Sequence, residues 1–251
     1  MNRTDIILRG YDETIRDRLL TISMMKGIDF KFHVSFESIE KKNGALTVNM
    51  TGCDAIEADA VMFAIGRQPN TEGLGLESAG VEVDEKGAIV VDADNRSTCD
   101  SVYAVGDVTN RVQLTPVAIR EGQAFADTLF GDKPTRVDYD NIPSAVFSHP
   151  PLAGVGMTEG QARNKLGSVK TYTSDFRAMK NVLAGRNERA LYKLIVDEAT
   201  DEIVGLHMIG PDAPEILQAA AIAVKAKLKK EDFDAVVALH PTMAEELVLM
   251  R

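Results

Sequence analysis

Cysteine is scarce in this chain. The 251 residues include two, Cys53 and Cys99, far apart and with neither C-x-x-C nor metal-ligand spacing. That argues against a disulfide scaffold and against a zinc module. No apolar run approaches the roughly 20 residues that span a bilayer, and the polar start MNRTDIILRG does not read as a signal peptide. Basic residues are in the minority, 28 Lys and Arg against 38 Asp and Glu, for a net charge of −10. A general binder of nucleic acid or anionic membrane needs a basic face that this balance does not supply. What remains is 45% hydrophobic and 26% charged, an ordinary globular mix with room for roughly one to two domains of about 150 residues. The expectation is a cytoplasmic, metal-free protein.

Helix and strand signals alternate along the chain. Asp12 to Met25 carries Ile15, Leu19, Leu20 and Ile22 at helical spacing, with Asp12 placed to cap and Gly27 to stop. Strands are predicted over Lys31–Ile39 and Ala45–Met50, on either side of Lys41-Lys42-Asn43-Gly44, where Asn-Gly is a strong hairpin signal. Ala60–Ile65 and Val102–Val105 are apolar runs of the kind buried on both faces of a sheet. Pro116 fits the first turn of a helix running to Phe130, and Gly131-Asp132-Lys133-Pro134 ends it. Beyond it come short strands at Ala145–Phe147, Ala153–Met157, Leu191–Val196 and Ile203–Met208. Thr158 with Gln161 spells a capping box for a helix to about Leu166. Asp212-Ala213-Pro214-Glu215 opens another, with Lys225, Lys227, Lys229 and Lys230 crowding its far end, and Thr242–Glu245 starts a short last helix.

Two places offer chemistry on their residues alone. The run Thr98-Cys99-Asp100-Ser101-Val102-Tyr103-Ala104-Val105-Gly106-Asp107 ends an apolar stretch in a small residue and a carboxylate. Ligands of open α/β sheets sit beyond the carboxyl ends of strands, where Gly106 admits a ligand to the backbone and Asp107 can accept from sugar-type hydroxyls. A plain strand and Asp-containing turn would give the same letters. At Leu114-Thr115-Pro116 a helix N-terminus presents N–H donors and positive potential, with Thr115 as an ordinary cap the plainer account.

The ten residues ending in YAVGD resemble the second FAD-binding segment of the two-dinucleotide flavoprotein disulfide reductases. The resemblance implies that Asp107, beside Gly106, binds the ribityl chain of FAD. Leu114-Thr115-Pro116-Val117-Ala118 is similar to that family's helix start under the flavin, which implies that Leu114 and Thr115 face the isoalloxazine. Ala64-Ile65-Gly66-Arg67-Gln68-Pro69-Asn70-Thr71 resembles the A-x-G-R-x-P-N-T segment, setting Gly66 and Arg67 beside the nicotinamide dinucleotide. Arg3 and Arg9 match an R-x(5)-R pattern of the NADPH-using members, in which two guanidiniums can meet a 2′-phosphate. The ending His240-Pro241-Thr242-Met243-Ala244-Glu245-Glu246-Leu247-Val248-Leu249-Met250-Arg251 resembles that of the glutathione reductases. There the histidine protonates a leaving thiolate while the glutamate orients it, and the proline position belongs to the FAD site, so the resemblance implies His240 and Glu245 as catalytic and Pro241 as FAD-binding. A carboxylate that fixes the imidazole tautomer suits proton transfer, although Thr242 and Glu245 also spell a capping box. Met179 and Lys180 fall in a segment near substrate in that family, where Lys180 could meet a glutathione carboxylate. His149 and His207 read as structural, and His33 as a strand-surface residue.

The fold implied is α/β and α+β. It comprises part of a nicotinamide-dinucleotide domain over 1–69, a returning FAD-domain segment over 70–138 and a dimerisation (interface) domain over 139–251, a sheet flanked by helices. The function implied is reduction of glutathione disulfide by NADPH through FAD, in a cytoplasmic homodimer most like the plant and bacterial branch. A dihydrolipoamide dehydrogenase-like reductase is the alternative, opposed by Arg3, Arg9, Ala238 two residues before His240, and the Met-Arg ending. Gln123 stands where some glutathione reductases carry an arginine. The sequence contains no G-x-G-x-x-G and no C-x(4)-C. The expectation is therefore the C-terminal half of a reductase, inactive alone, with a non-catalytic dimerisation module as a further alternative.

Overall fold

In the computed structural model, which describes residues 1–42 and 44–251, the first helix forms where its cap predicts. An Asp12 carboxylate oxygen accepts the Thr14 N–H at 3.1 Å, α1 runs over Glu13–Met25, and Gly27 follows at φ +89°. β1 (Ser35–Lys42), β2 (Ala45–Thr51) and β3 (Ile56–Ala58) form an antiparallel sheet in that order, Lys42 opposite Ala45. Asn43, of the predicted Asn-Gly turn, lies outside the described residues. His33 is not on a strand: it precedes β1 at φ +57°.

The C-terminal sheet is antiparallel, ordered β4 (Ser144–Val146), β5 (Leu152–Gly156), β8 (Ile203–Ile209), β7 (Ala190–Asp197), β6 (Val169–Phe176). Its central strands alternate between two covered faces, so they read as unbroken apolar runs. Tyr192, Leu194 and Val196 turn to a core shared with Leu217, Ala221 and Val224 of α5 (Ala213–Lys225). On the opposite face, Leu152, Leu191 and Ile209 pack against Ile15 and Leu19 of α1. Beside them Ile195 meets Ala162 of α3 (Glu159–Leu166). Each large side chain so buried contributes roughly 1.5–3 kcal/mol. Thr158 and Gln161 form the complete predicted capping box of α3. The edge strand β6 carries no apolar run, and its polar VKTYTSDF pattern hid it from the sequence reading.

Close packing groups Met1–Ala60 with Asp140–Arg251 and makes a second unit of Val61–Tyr139. In that second unit the sequence reading needs two corrections. Ala60–Ile65 is not a buried strand: Met62 is 88% and Ile65 85% exposed. A strand is buried on both faces only when paired neighbours carry it into a sheet, and among the described residues none lies beside it. Val102–Val105 likewise forms no ladder. Ser97 and Ala104 N–H donate to Val102 and Asn95 carbonyls, Arg96 bridges Tyr103, and Ala104 joins a small core with Val81 and Ile89. α2 (Thr115–Phe130) is the long helix of this unit.

The other short helices are α4 (Met179–Leu183), α6 (Lys230–Asp234) and α7 (Glu246–Leu249). Two charged side chains near α5 depart from expectation. Asp212 occupies its N-cap in the left-handed region, φ +60°, without a side-chain capping bond, and pairs with Lys180 at 3.6 Å. Lys230 is no solvated dipole partner. It is buried, donates to the Met250 carbonyl at 2.8 Å and lies 4.5 Å from the Tyr172 ring centroid.

Candidate functional site

The C-terminal segment folds so that His240 and Glu245 meet. Nδ1 of His240 lies 3.2 and 3.1 Å from the two Glu245 carboxylate oxygens. Thr242 Oγ1 accepts the Glu245 N–H at 3.2 Å, but the last helix, α7, starts only at Glu246 with Glu245 itself at its N-cap, so Thr242 does not cap it. The Glu245 carboxylate is turned to the imidazole. The side chain of Glu245 is 12% exposed and that of His240 63%. A carboxylate held against Nδ1 fixes the ring and leaves Nε2 as the nitrogen that can exchange a proton with an incoming group. Pro241, exposed, follows through a cis peptide bond.

Met179 and Lys180 open α4 and are both exposed, with the Lys180 ammonium committed to Asp212. Arg3 and Arg9 are exposed as well. Arg9 donates to Thr4 Oγ1 at 3.1 Å, while Asn2 holds the segment by bonding the Ile6 carbonyl and the backbone at Lys31.

Within the second unit, Gly106 and Asp107 open a 3-10 turn, Gly106–Thr109. Gly106 sits at φ +76°, and a Cβ there would lie 2.9 Å from that of Ala118 on α2. Both facts require glycine. Its carbonyl accepts from Thr109 Oγ1 at 2.8 Å, and Asp107 is exposed. α2 starts at Thr115 after Leu114, with proline in its first turn and no side-chain cap, so its N-terminal donors are not met by a cap. Thr115 is therefore the first helical residue and not the cap. Gly66 at φ +136° and Arg67 are exposed on the extended segment before Pro69.

Two buried charged side chains, Glu121 and Lys193, were not singled out by the sequence reading, and Asp12 does more than cap. Glu121 is 1% exposed in the apolar stripe of α2 between Val117 and Ala124, and accepts the Gly106 N–H at 2.5 Å. Its second oxygen accepts from Tyr139 Oη at 2.6 Å and from Arg111 at 3.2 Å. Burial, then the bond to Glu121, push the Tyr139 hydroxyl up to about 12, so it stays a donor. Asp12 and Lys193, also buried, pair at 2.9 Å, with Glu159 2.7 Å from the same ammonium. For Glu121 and Lys193 the signal was available: a charged residue inside an otherwise apolar stripe or strand.

Residues 1–122 match the pyridine nucleotide-disulphide oxidoreductases, and residues 142–251 match the pyridine nucleotide-disulphide oxidoreductase dimerisation domain. The chain belongs to this family. It is 49% identical over its whole length to a glutathione reductase of Burkholderia cepacia, covering 56% of that protein. It is also 48% identical over 98% of its length to the chloroplastic/mitochondrial glutathione reductase of Pisum sativum, covering 45% of it. A trypanothione reductase of Trypanosoma congolense is 40% identical over 99% of the chain and 51% of its own length. Among solved structures, the HOCl-induced flavoprotein disulfide reductase RclA of Escherichia coli superposes with a TM-score of 0.91. It is 30% identical, over 99% of this chain and 57% of that one. The chain thus spans about half the length of these oxidoreductase relatives.

Proposed function

We propose that this chain provides the acid–base pair, the flavin-side turn and the dimerisation domain of an NADPH-using, FAD-dependent reductase of glutathione disulfide. The observation that carries the reading is the His240–Glu245 pair, in which the carboxylate of a side chain only 12% exposed holds Nδ1. His240 Nε2 gives a proton to the thiolate released from the substrate disulfide and recovers it in the reverse half, while Glu245 keeps the ring oriented. Lys180, exchanging Asp212 for a substrate carboxylate, and Met179 line the approach in this reading.

The residues at Gly106 suit the flavin end of FAD. Asp107 is an exposed acceptor for ribityl hydroxyls, and the uncapped start of α2 offers a ring oxygen the Thr115 N–H, that of Leu114 being taken by the Val112 carbonyl. Pro241 belongs to the same cofactor assignment. FAD, when bound, carries the electrons from NADPH toward the disulfide. Arg3 and Arg9 are assigned to the 2′-phosphate of NADPH, with Gly66 and Arg67 along the dinucleotide. The division at 1–69, 70–138 and 139–251 into nicotinamide, FAD and interface segments belongs to the same proposal.

Glutathione disulfide is favoured over trypanothione because the relatives named glutathione reductase reach 49% identity against 40%. A homodimer is supported by the dimerisation-domain match over 142–251. A reducing, cytoplasmic setting agrees with free Cys53 and Cys99.

Since the sequence holds no C-x(4)-C and no G-x-G-x-x-G, the isolated polypeptide does not reduce disulfides. The test is to purify the 251-residue chain, record its flavin absorbance, and follow NADPH oxidation with glutathione disulfide present. A colourless, inactive protein is expected, and a yellow, active one sinks the claim of inactivity. Joined to the remaining part of a relative such as the Burkholderia reductase, the chain should become active. His240→Ala should then slow disulfide reduction more than flavin reduction, and equal slowing would remove His240 from its role.

A further inference from the structure

The turn that carries Asp107 is gripped from both ends. Gly106 donates its N–H to the buried Glu121 carboxylate at 2.5 Å, and its carbonyl accepts from Thr109 Oγ1 at 2.8 Å. Glu121 projects from α2, the helix whose first turn contains Thr115. One carboxylate therefore ties Asp107's turn to the helix that presents the N-terminal donors. The grip is itself braced. Tyr139 and Arg111 hold the second carboxylate oxygen, Arg111 reaches on to Asn95 Oδ1, and its guanidinium lies 5.2 Å from the Tyr139 ring centroid. A carboxylate buried to this degree survives only when its oxygens are met by donors, as these are. No side chain at 106 could substitute for the grip, since φ +76° and Ala118 exclude one.

We propose that Glu121 is a positioning residue for FAD: through Gly106 it fixes the Asp107 carboxylate relative to the start of α2. The inference rests on the flavin reading above and adds the group that pre-organises it. Pre-organisation lowers the ordering cost of binding, so its loss appears as weaker affinity.

Two measurements test this: hydrogen exchange on the 251-residue chain, and FAD affinity on that chain joined to the remaining part of the Burkholderia reductase. In amide hydrogen exchange, Glu121→Gln should speed exchange at Gly106 by about tenfold or more, with Leu194 and Leu206, paired in the C-terminal sheet, unchanged. Unchanged exchange at Gly106 overturns the grip. Should Glu121→Gln fail to fold, Glu121→Asp keeps the charge for Arg111 but is one methylene short of Gly106, and carries the same expectation. In equilibrium dialysis of the joined protein against FAD, Glu121→Gln and Asp107→Asn should each weaken binding about tenfold. The double variant should be no worse than the poorer single, because Glu121 acts through Asp107. Additive losses, which a merely structural residue would give, or full affinity in Glu121→Gln, overturn the positioning role. Undiminished binding by Asp107→Asn removes the flavin reading and the positioning role with it. The exchange result still reports on the grip.

Discussion

His207 and Asp12 contribute to the pH dependence of this protein in different pH ranges. Burial holds the His207 imidazole below the ordinary histidine value, against the opposing bond from its Nε2 to the Met157 carbonyl at 2.9 Å. No hydrogen-bond partner reaches its Nδ1 among the described residues, and Cβ atoms at Gly154 or Gly205 would crowd the ring. The unfolded chain takes up a proton at about pH 6.5 that the folded chain refuses. Stability from neutral His207 is thus full above about pH 6.5 and is lost as pH falls toward the depressed folded value. Burial also disfavours the Asp12 carboxylate, but the Glu159 N–H and the Lys193 ammonium outweigh it and hold its pKa below the usual range. Its contribution is present above about pH 3.9 and lost only in stronger acid. Urea midpoints taken from pH 7.5 to pH 5 should therefore fall in the unaltered chain and fall less in His207→Asn. Equal slopes would assign the acid limb to other groups.

The same cluster decides how one helix is held. α1 lays Ile15 and Leu19 on Leu152, Leu191 and Ile209, and its cap is locked to the sheet by Lys193. Lys193 Nζ also donates to Thr14 Oγ1 at 2.9 Å, while the Asp12 carboxylate takes the Glu159 N–H at 3.0 Å. Asp12 therefore caps α1 and meets the start of α3 at once. Lys193→Met leaves that carboxylate buried without its cation and should cost about 3–5 kcal/mol in denaturant unfolding. A loss under about 1 kcal/mol would mean that hydrophobic packing alone seats α1. α1 and its cap, both strands of the first hairpin and the α3 capping box were legible in the sequence because their signals are local. Lys193 was not, since a lysine within ALYKLIVD acquires its meaning from a partner 181 residues away. Ala60–Ile65 misled for the converse reason. Its apolar letters promise a sheet that only neighbouring strands could supply.

For the molecule as a whole, the exposed apolar side chains are the feature to explain. Ile222 on α5, with Val237 and Leu239 after α6, is exposed on the residues that match the dimerisation domain. A second copy of the chain is the occupant proposed for that surface. Sedimentation of the unaltered chain should show a dimer, and Ile222→Glu with Val237→Glu should shift it to monomer without loss of helical signal. A dimer that persists in the double variant would move the interface elsewhere. Of the candidate site, the sequence pointed to the residues proposed to carry the chemistry but not to the ones that hold them. His240 and Glu245, or Gly106 and Asp107, are close in the chain and spell recognisable patterns. Glu121 and Gly106 meet across 15 residues and Tyr139 joins them across 18.

The sequence alone determined the family pattern, the acidic and cysteine-poor character, and the elements written by periodicity and caps. These depend on neighbours within a few residues, so local letters suffice. Tertiary structure decided where each charge is spent: Glu245 on an imidazole, Glu121 under a glycine turn, Asp12 on a lysine inside a strand. A buried charge is tolerable only beside its partners, and those partners are chosen by the fold, not by adjacency in the chain.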